Sequence, residues 1–423
     1  MTDSRRKLCG SWSRNAGYLW PREGESMKTY NVVVGQSGGP TPVINASLRG
    51  VVEQALKAEQ VDRIYGTPNG LSGILRNELI GLNGKLPQIR QAARQPGAVL
   101  GTSRHPLHES EYERIIANLE QADAKVFCYI GGNGSSRTVL ALAEYARSKG
   151  KDIRFVHIPK TIDNDLDGTD HTPGYGSAAK FLSHMTQWFA VDMVSLQTVP
   201  KIEIIEVMGG NRGWLPAASA LFKTRSGYPN LVYLPDKPVE ATTILNDVES
   251  VFQRKESIMM MVPDHLRVNG LPTDPLAVED RLRGNNTGIG FRLSQHITRT
   301  LGIPTRTTVP YALYRIAPGA VSAVDLEEAY QLGAKAVEYA AAGYTGGMVS
   351  LERVSAKPYL SRIRWVALDG VAGQEKTFPA AYWNADEHRP TAAFADYLLP
   401  LIDGETPDCL FSLSDLDRKG FSQ

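Results

Sequence analysis

The chain has 423 residues, with 46 Lys and Arg against 45 Asp and Glu. Charges so nearly balanced lack the basic footprint of a general nucleic-acid or membrane-surface binder, and no apolar run approaches the ~20 residues that span a bilayer. The length exceeds one average domain and suggests roughly two to three units with sizeable cores.

Residues 1–28 read as a polar N-terminal extension, expected to be poorly ordered. They carry Arg5, Arg6, Lys7, Arg14 and Arg22 without the apolar centre of a secretion signal. Asp3, Glu23 and Glu25 argue against an organelle transit peptide, and Met27 stands directly before the first strand-like run. Cys9, Cys128 and Cys409 are far apart and show no metal-ligand spacing. That usage points to a reducing, cytoplasmic setting, with Cys128 a core residue.

From Tyr30 onward, short apolar runs alternate with helical patterns. Strands are expected at Tyr30–Val34, Arg63–Tyr65, Val126–Ile130 and Arg154–Ile158, and helices at Asn45–Ala58 and Ser136–Ser148. A second unit begins near Lys201 with the strand-like runs KIEIIEVM, NLVYLP and SIMMMV; TRTTVP and GGMVSLE follow. Helices are expected there at Thr242–Arg254, Thr287–Leu301 and Ala323–Ala342, and a last one at Ala392–Leu401. The pattern predicts an α/β protein of two doubly wound α/β domains facing a central cleft. Their expected bounds are 29–200 and 201–356, with 357–423 packing back on the body.

Three loops carry the chemistry. Two expected strands run into glycine turns, GQSGGP and GGNGSS, each followed by a helical pattern. Backbone without Cβ approaches an anion closely, and a helix N-terminus adds N–H groups and a positive dipole end. Neither turn matches the G-x-x-x-x-G-K-[ST] or G-x-G-x-x-G patterns. The third loop, PKTIDNDLDGTDHTPGYGS, holds Lys160, Asp163, Asp165 and Asp170 after an expected strand, with Ser177 expected to cap the next helix. Carboxylates at the carboxyl end of a sheet can take a proton or hold Mg²⁺, and a lysine can neutralise phosphate. A lone TIDND is more often a solvated turn. With Arg104 in GTSRH, the three loops together point to a polyphosphate site.

GQSGGPTPVINAS, LGTSRH, YIGGNGSS, PKTIDNDLDGTDHTPGYGSAAK and IIEVMGGNRGW, in this order, resemble the phosphofructokinase family from about Thr29 to about Arg353. The resemblance implies phosphoryl transfer from ATP or pyrophosphate to the 1-hydroxyl of fructose 6-phosphate, with Mg²⁺, in a homodimer or homotetramer. It implies Asp163 as base, with Thr161 and Lys160 beside it. It places donor phosphates on Gly39, Arg104, Gly132, Gly134 and Ser135. It places the sugar phosphate on Asp165, Lys201, Met208, Gly209 and Arg315, with Lys201 reaching in from a neighbouring subunit.

Departures from the family pattern are informative. Asn133 stands where many members have an aspartate metal ligand, so Mg²⁺ would rest more on the substrate's phosphates and on Asp163. Gly134 leaves room for a nucleotide's α-phosphate, as in ATP users, whereas Lys160 and Asn133 lean toward pyrophosphate. Gly210 replaces the usual arginine of MGR, with Arg212 two residues on, and Pro263 and Asp264 stand where the family has a glutamate. The donor reading leans to ATP over pyrophosphate. The alternatives are a different sugar phosphate as acceptor or a catalytically weak regulatory member.

Overall fold

The computed structural model describes residues 29–195, 201–222, 227–272 and 288–404; the expected extension, Cys9 and Cys409 lie outside them. The first unit is built on a seven-stranded sheet in the order β13-β12-β5-β4-β1-β2-β3. Its strands are β1 (Tyr30–Gln36), β2 (Val61–Thr67), β3 (Ile80–Gly81), β4 (Ala124–Gly131), β5 (Arg154–Pro159), β12 (Gly347–Ala356) and β13 (Tyr359–Ala367). All residues of β1 are buried, and its neighbours β2 and β4 run parallel to it. Burial on both faces explains the uninterrupted apolar runs in place of alternation.

The second unit holds a four-stranded parallel sheet in the order β11-β6-β9-β7. Its strands are β6 (Ile202–Val207), β7 (Leu231–Val232), β9 (Ile258–Pro263) and β11 (Thr305–Thr308). Between them, β8 (Val239–Glu240) and β10 (Val268–Asn269) form a separate pair.

The expected boundary at 356 does not hold. It falls between β12 and β13, an antiparallel pair of the first sheet, and β12 runs parallel to β5. The long helix Ala323–Ala341, also expected in the second unit, packs on the first. It crosses helix α1 (Ile44–Lys57) so closely that a Cβ on Gly50 would lie 2.0 Å from the Tyr330 carbonyl oxygen. A Cβ on Gly333 would come equally close, 2.0 Å, to the Ser47 carbonyl oxygen. The chain therefore leaves the first unit after β5, builds the second, and returns.

Helix α3 (Tyr175–Ser195) joins the units; α2 (Asn133–Ser148) follows β4. Ser177 does not cap α3, which begins two residues earlier. Its hydroxyl donates to Asp325 Oδ2 at 2.6 Å, and the same carboxylate accepts the Gly174 N–H (2.8 Å) and the Ser177 N–H (2.9 Å). The cap comes from the returning helix, 148 residues away in sequence, which no local signal could reveal.

Beneath the acidic loop lies a buried charge network. His171 bonds Asp170 Oδ2 (2.8 Å) through Nδ1 and Glu328 Oε2 (2.6 Å) through Nε2. Arg353 adds a 3.0 Å bond from Nη2 to Asp170 Oδ2. Burial opposes charging the imidazole, but the Glu328 and Asp170 carboxylates outweigh it and push the His171 pKa up to about 9. That value exceeds the unfolded value near ~6.5, so the stabilisation is complete below ~6.5 and fades as pH rises through about 9. Chemical denaturation of the wild type between pH 6 and 10 is expected to lose stability on the order of 3 kcal/mol from this group. His171→Ala is expected to cost about 3–5 kcal/mol at pH 7 by leaving the buried Glu328 carboxylate without a cation and Asp170 with Arg353 alone, and to flatten that alkaline slope. An unchanged slope in the variant would assign it to other groups.

Candidate active site

Strands β5, β4 and β1 end side by side at one edge of the first sheet, and β2 lies on the other side of β1. Chain order therefore reverses between β1 and β4, where open α/β sheets form their binding crevice. The first glycine turn leaves β1, the second leaves β4, and the acidic loop leaves β5. They border a cleft of about 740 Å³.

Gly39, Arg104, Gly132, Asn133, Gly134 and Ser135 line the cleft. The Gly38 N–H donates to the Ser103 carbonyl at 3.3 Å, which sets the Arg104 loop beside the first turn. Helix α2 has Gly132 as its N-cap with no side-chain cap, and its first residues line the cleft, an arrangement that suits an anion. Gly134 lies inside α2, and a Cβ built there would meet nothing within 4 Å.

Lys160 sits on the floor with 2% of its surface exposed. Its ammonium donates to the Gly39 carbonyl at 2.6 Å and so ties the acidic loop to the first glycine turn. Burial lowers its pKa to about 8; Asp163 opposes that fall, while Arg104 and Arg315 add to it. The group is still mostly charged at pH 7. Lys160, Arg104 and Arg315 thus converge, and neither arginine forms an ion pair among the described residues, an arrangement that suits a polyanion.

Asp163 and Asp165 face the same cleft. Thr161 Oγ1 donates to Asp163 Oδ2 at 3.0 Å and accepts the Asp163 N–H at 3.1 Å, which fixes the carboxylate's orientation. Burial raises the Asp163 pKa. Asp165 accepts from Asn133 Nδ2 at 2.9 Å; burial, then the nearby Asp163 and Glu375 carboxylates, push its pKa up to about 7. Asn133 Oδ1 is buried and has no hydrogen-bond partner among the described residues.

Met208 and Arg315 complete the cleft, with Arg315 beside the first glycine turn, where a Cβ on Gly39 would lie 3.5 Å from its Nη1. Gly210, at φ +66°, turns its Cβ position toward Asp163, 3.5 Å from that carboxyl carbon. The missing arginine side chain would have started against the acidic group. Arg212 does not take its place: it points to Glu375, with Nε 3.2 Å from Oε2. Pro263 ends β9 beside Val207, and the Asp264 N–H donates to the Val207 carbonyl at 2.9 Å. Burial, with Asp163 and Glu206 nearby, pushes the Asp264 pKa up to about 6 against the pull of His265.

Gly209 and Lys201 do not line this chain's cleft. The Cβ position of Gly209 faces Pro216 and Leu215. Lys201 precedes β6 at its amino end, roughly 20 Å of strand from Met208.

Sequence reading missed Tyr112, Arg137 and Glu375, which line the cleft. Arg137 lies within the helical run after the second glycine turn and Tyr112 opens the helix Tyr112–Gln121, neither with a motif. Glu375 belongs to the C-terminal segment, whose only sequence signal was a weak pattern rich in aromatics and prolines.

The Phosphofructokinase family model matches residues 31–340. A pyrophosphate--fructose 6-phosphate 1-phosphotransferase of Rhodospirillum rubrum is 35% identical over 390 residues, covering 89% of this chain and 95% of that protein. A sulfofructose kinase of Alkalicoccus urumqiensis is 30% identical, covering 88% of this chain and 95% of that one. The crystal structure of a pyrophosphate-dependent phosphofructokinase from Nitrosospira multiformis superposes with a TM-score of 0.80 at 31% identity, covering 93% of this chain and 99% of that one. The match in sequence, fold and cleft-lining motifs leads to one conclusion: the chain belongs to the phosphofructokinase family.

Proposed function

We propose that this protein transfers the terminal phosphoryl group of ATP to the 1-hydroxyl of fructose 6-phosphate. The observation that carries the reading is the position of Asp163. Its carboxylate shares the cleft with the cationic donor side (Lys160, Arg104) and lies against the acceptor turn at Gly210. A hydroxyl placed between them meets a base on one side and a phosphoryl group on the other.

Phosphoryl transfer is catalysed chiefly by positioning and by stabilising spread negative charge. Asp163 accepts the hydroxyl proton, and burial makes its carboxylate more basic than in water. Thr161 holds one carboxylate oxygen in place. Lys160 and Arg104 stabilise charge on the transferred group, while N–H groups at the start of α2 and Ser135 cradle the donor phosphates. Asp165, with a pKa near 7, orients the acceptor. Arg315 binds the sugar phosphate, joined by Lys201 of a second copy.

Mg²⁺ fits the donor set. Asn133 Oδ1 is a buried carbonyl oxygen lacking a hydrogen-bond partner among the described residues, and Asp165 adjoins it. An amide carbonyl and carboxylates suit this ion when the donor's phosphates supply further oxygens. Bound there, it would neutralise charge on the donor.

The choice of ATP rests on position 134. Beyond Gly134 the cleft continues along Pro106, Leu107, Tyr112 and Ala141, a volume that pyrophosphate does not need. Pyrophosphate is the second reading, favoured by Lys160 and by the name of the Rhodospirillum relative. A second acceptor reading, a sugar with another anionic tail, is favoured by Gly210 and by the sulfofructose kinase relative.

Asp163→Asn keeps shape and removes basicity, so turnover is expected to fall by ~10² or more with substrate binding retained. Near-native turnover, with chemistry limiting, would remove Asp163 from the role of base. Gly134→Asp places a carboxylate near the α-phosphate, and at ~4 Å with an effective dielectric of ~20 the repulsion is about 4 kcal/mol before screening. ATP-supported turnover is expected to drop ~10²-fold while pyrophosphate-supported turnover drops less. Gly134→Ala, in helical backbone with open space, is expected to leave both nearly intact. Equal losses in the Asp variant would show that residue 134 does not discriminate. Because Lys201 serves from a second copy, activity is expected to fall with dissociation in a dilution series followed by light scattering. A fully active monomer would exclude that role.

A further inference from the structure

The segment 371–376 lies beyond the residues matched by the family model, yet it touches the start of α2, the acidic loop and the turn 209–213. At its first contact, the Gly373 N–H donates to Ser136 Oγ at 3.2 Å. The Arg137 side chain lies over the same glycine, so close that a Cβ on Gly373 would be 2.7 Å from Nη1. Both contacts fall in the first turn of α2, beside Asn133 and Gly134.

At its second contact the segment meets the acidic loop. Glu375 bridges to Leu166 in antiparallel fashion, and the Lys376 N–H donates to the Asp165 carbonyl at 2.7 Å. Lys376 Nζ donates to the Asp170 carbonyl at 2.7 Å, stacked 4.6 Å from the Trp214 ring centroid. At its third contact it holds the acceptor turn of the second unit. Glu375 Oε1 accepts from Asn211 Nδ2 at 3.3 Å, and Oε2 lies 3.2 Å from Arg212 Nε. Asn211 Oδ1 in turn lies 3.1 Å from His265 Nδ1, beside Asp264.

One six-residue stretch is therefore bonded to the donor-binding helix, to the loop of the base, and to the acceptor turn. We propose that residues 371–376 form a strap that couples donor binding to acceptor binding, with Glu375 the positioning residue that acts through Arg212 and Asn211. A donor anion that settles on the start of α2 restrains Ser136 and Arg137. The strap passes that restraint to the turn 209–213, which lies against Asp163 at Gly210. Coupling of this kind needs a contiguous set of contacts with both sites biasing one element, and the three contacts supply it. The ion pair is partly exposed, so its own strength is modest; its effect lies in where it holds Arg212. The proposal rests on the donor assignment made above.

The test is hydrogen–deuterium exchange on the full chain with pyrophosphate as probe, a donor-site anion whose binding does not depend on turnover. In the wild type, pyrophosphate is expected to slow exchange at 132–137, 371–376 and 209–213 by about threefold or more. In Glu375→Gln, protection is expected to persist at 132–137 and vanish at 209–213. The charge swap Glu375→Arg with Arg212→Glu is expected to restore it, and serves too if Glu375→Gln does not fold. Protection at 132–137 without 209–213 in the wild type would overturn the strap alone. Protection at 209–213 that survives Glu375→Gln, or a swap that restores nothing, would also overturn it. No protection at 132–137 would overturn the donor assignment and the strap with it.

Discussion

Lys160 carries its ammonium to a place where only 2% of the residue meets solvent, and a charge so placed must be compensated from several directions. The Gly39 carbonyl supplies a hydrogen bond and Asp163 supplies the opposite charge. Arg104 and Arg315 work against it. The balance holds because the cleft is open on one side, where an anion can complete it. The same contact fixes the separation of the first glycine turn and the acidic loop. Replacing the lysine by an apolar residue would remove both the charge and the tie.

The acidic loop cannot hold two carboxylates close together unaided. Below it, His171 and Arg353 neutralise Asp170. Tyr397, from the helix Ala392–Leu398, donates its hydroxyl to the Asp170 carbonyl and receives the Asn164 amide. Lys376 adds bonds to the Thr169 and Asp170 carbonyls. Asn164 itself adopts a positive φ of 56°, an uncommon conformation that such surroundings over-determine. The returning helix and the C-terminal segment thus act as a frame for a loop far before them in sequence.

Much of this was legible in the sequence because it is local. Apolar runs that end in glycine mark β1 and β4, and an acid-rich loop after β5 marks the carboxylates that line the cleft. Each is a short-range pattern with a direct physical cause. What was not legible is non-local. GGMVSLE reads as a strand, but nothing in it says that it pairs with β5 instead of joining the second sheet. Ser177 reads as a cap because its competitor, Asp325, is far away in sequence. Whether Arg212 reaches the place of the missing arginine at 210 is open in the sequence; Glu375, far along the chain, holds it elsewhere. Glu375 carries no motif; its significance comes only from the three elements that meet there.

The central claim is that one cleft joins a phosphoryl donor to a sugar phosphate hydroxyl. Phosphorus NMR of wild-type reactions tests it most directly, with ATP or pyrophosphate as donor and fructose 6-phosphate or another anionic sugar as acceptor. The expected result is a new phosphate ester at the 1-position of fructose 6-phosphate in the presence of Mg²⁺, formed with ATP. Donors left intact in every combination, or cleaved to free phosphate without a sugar ester, would contradict it.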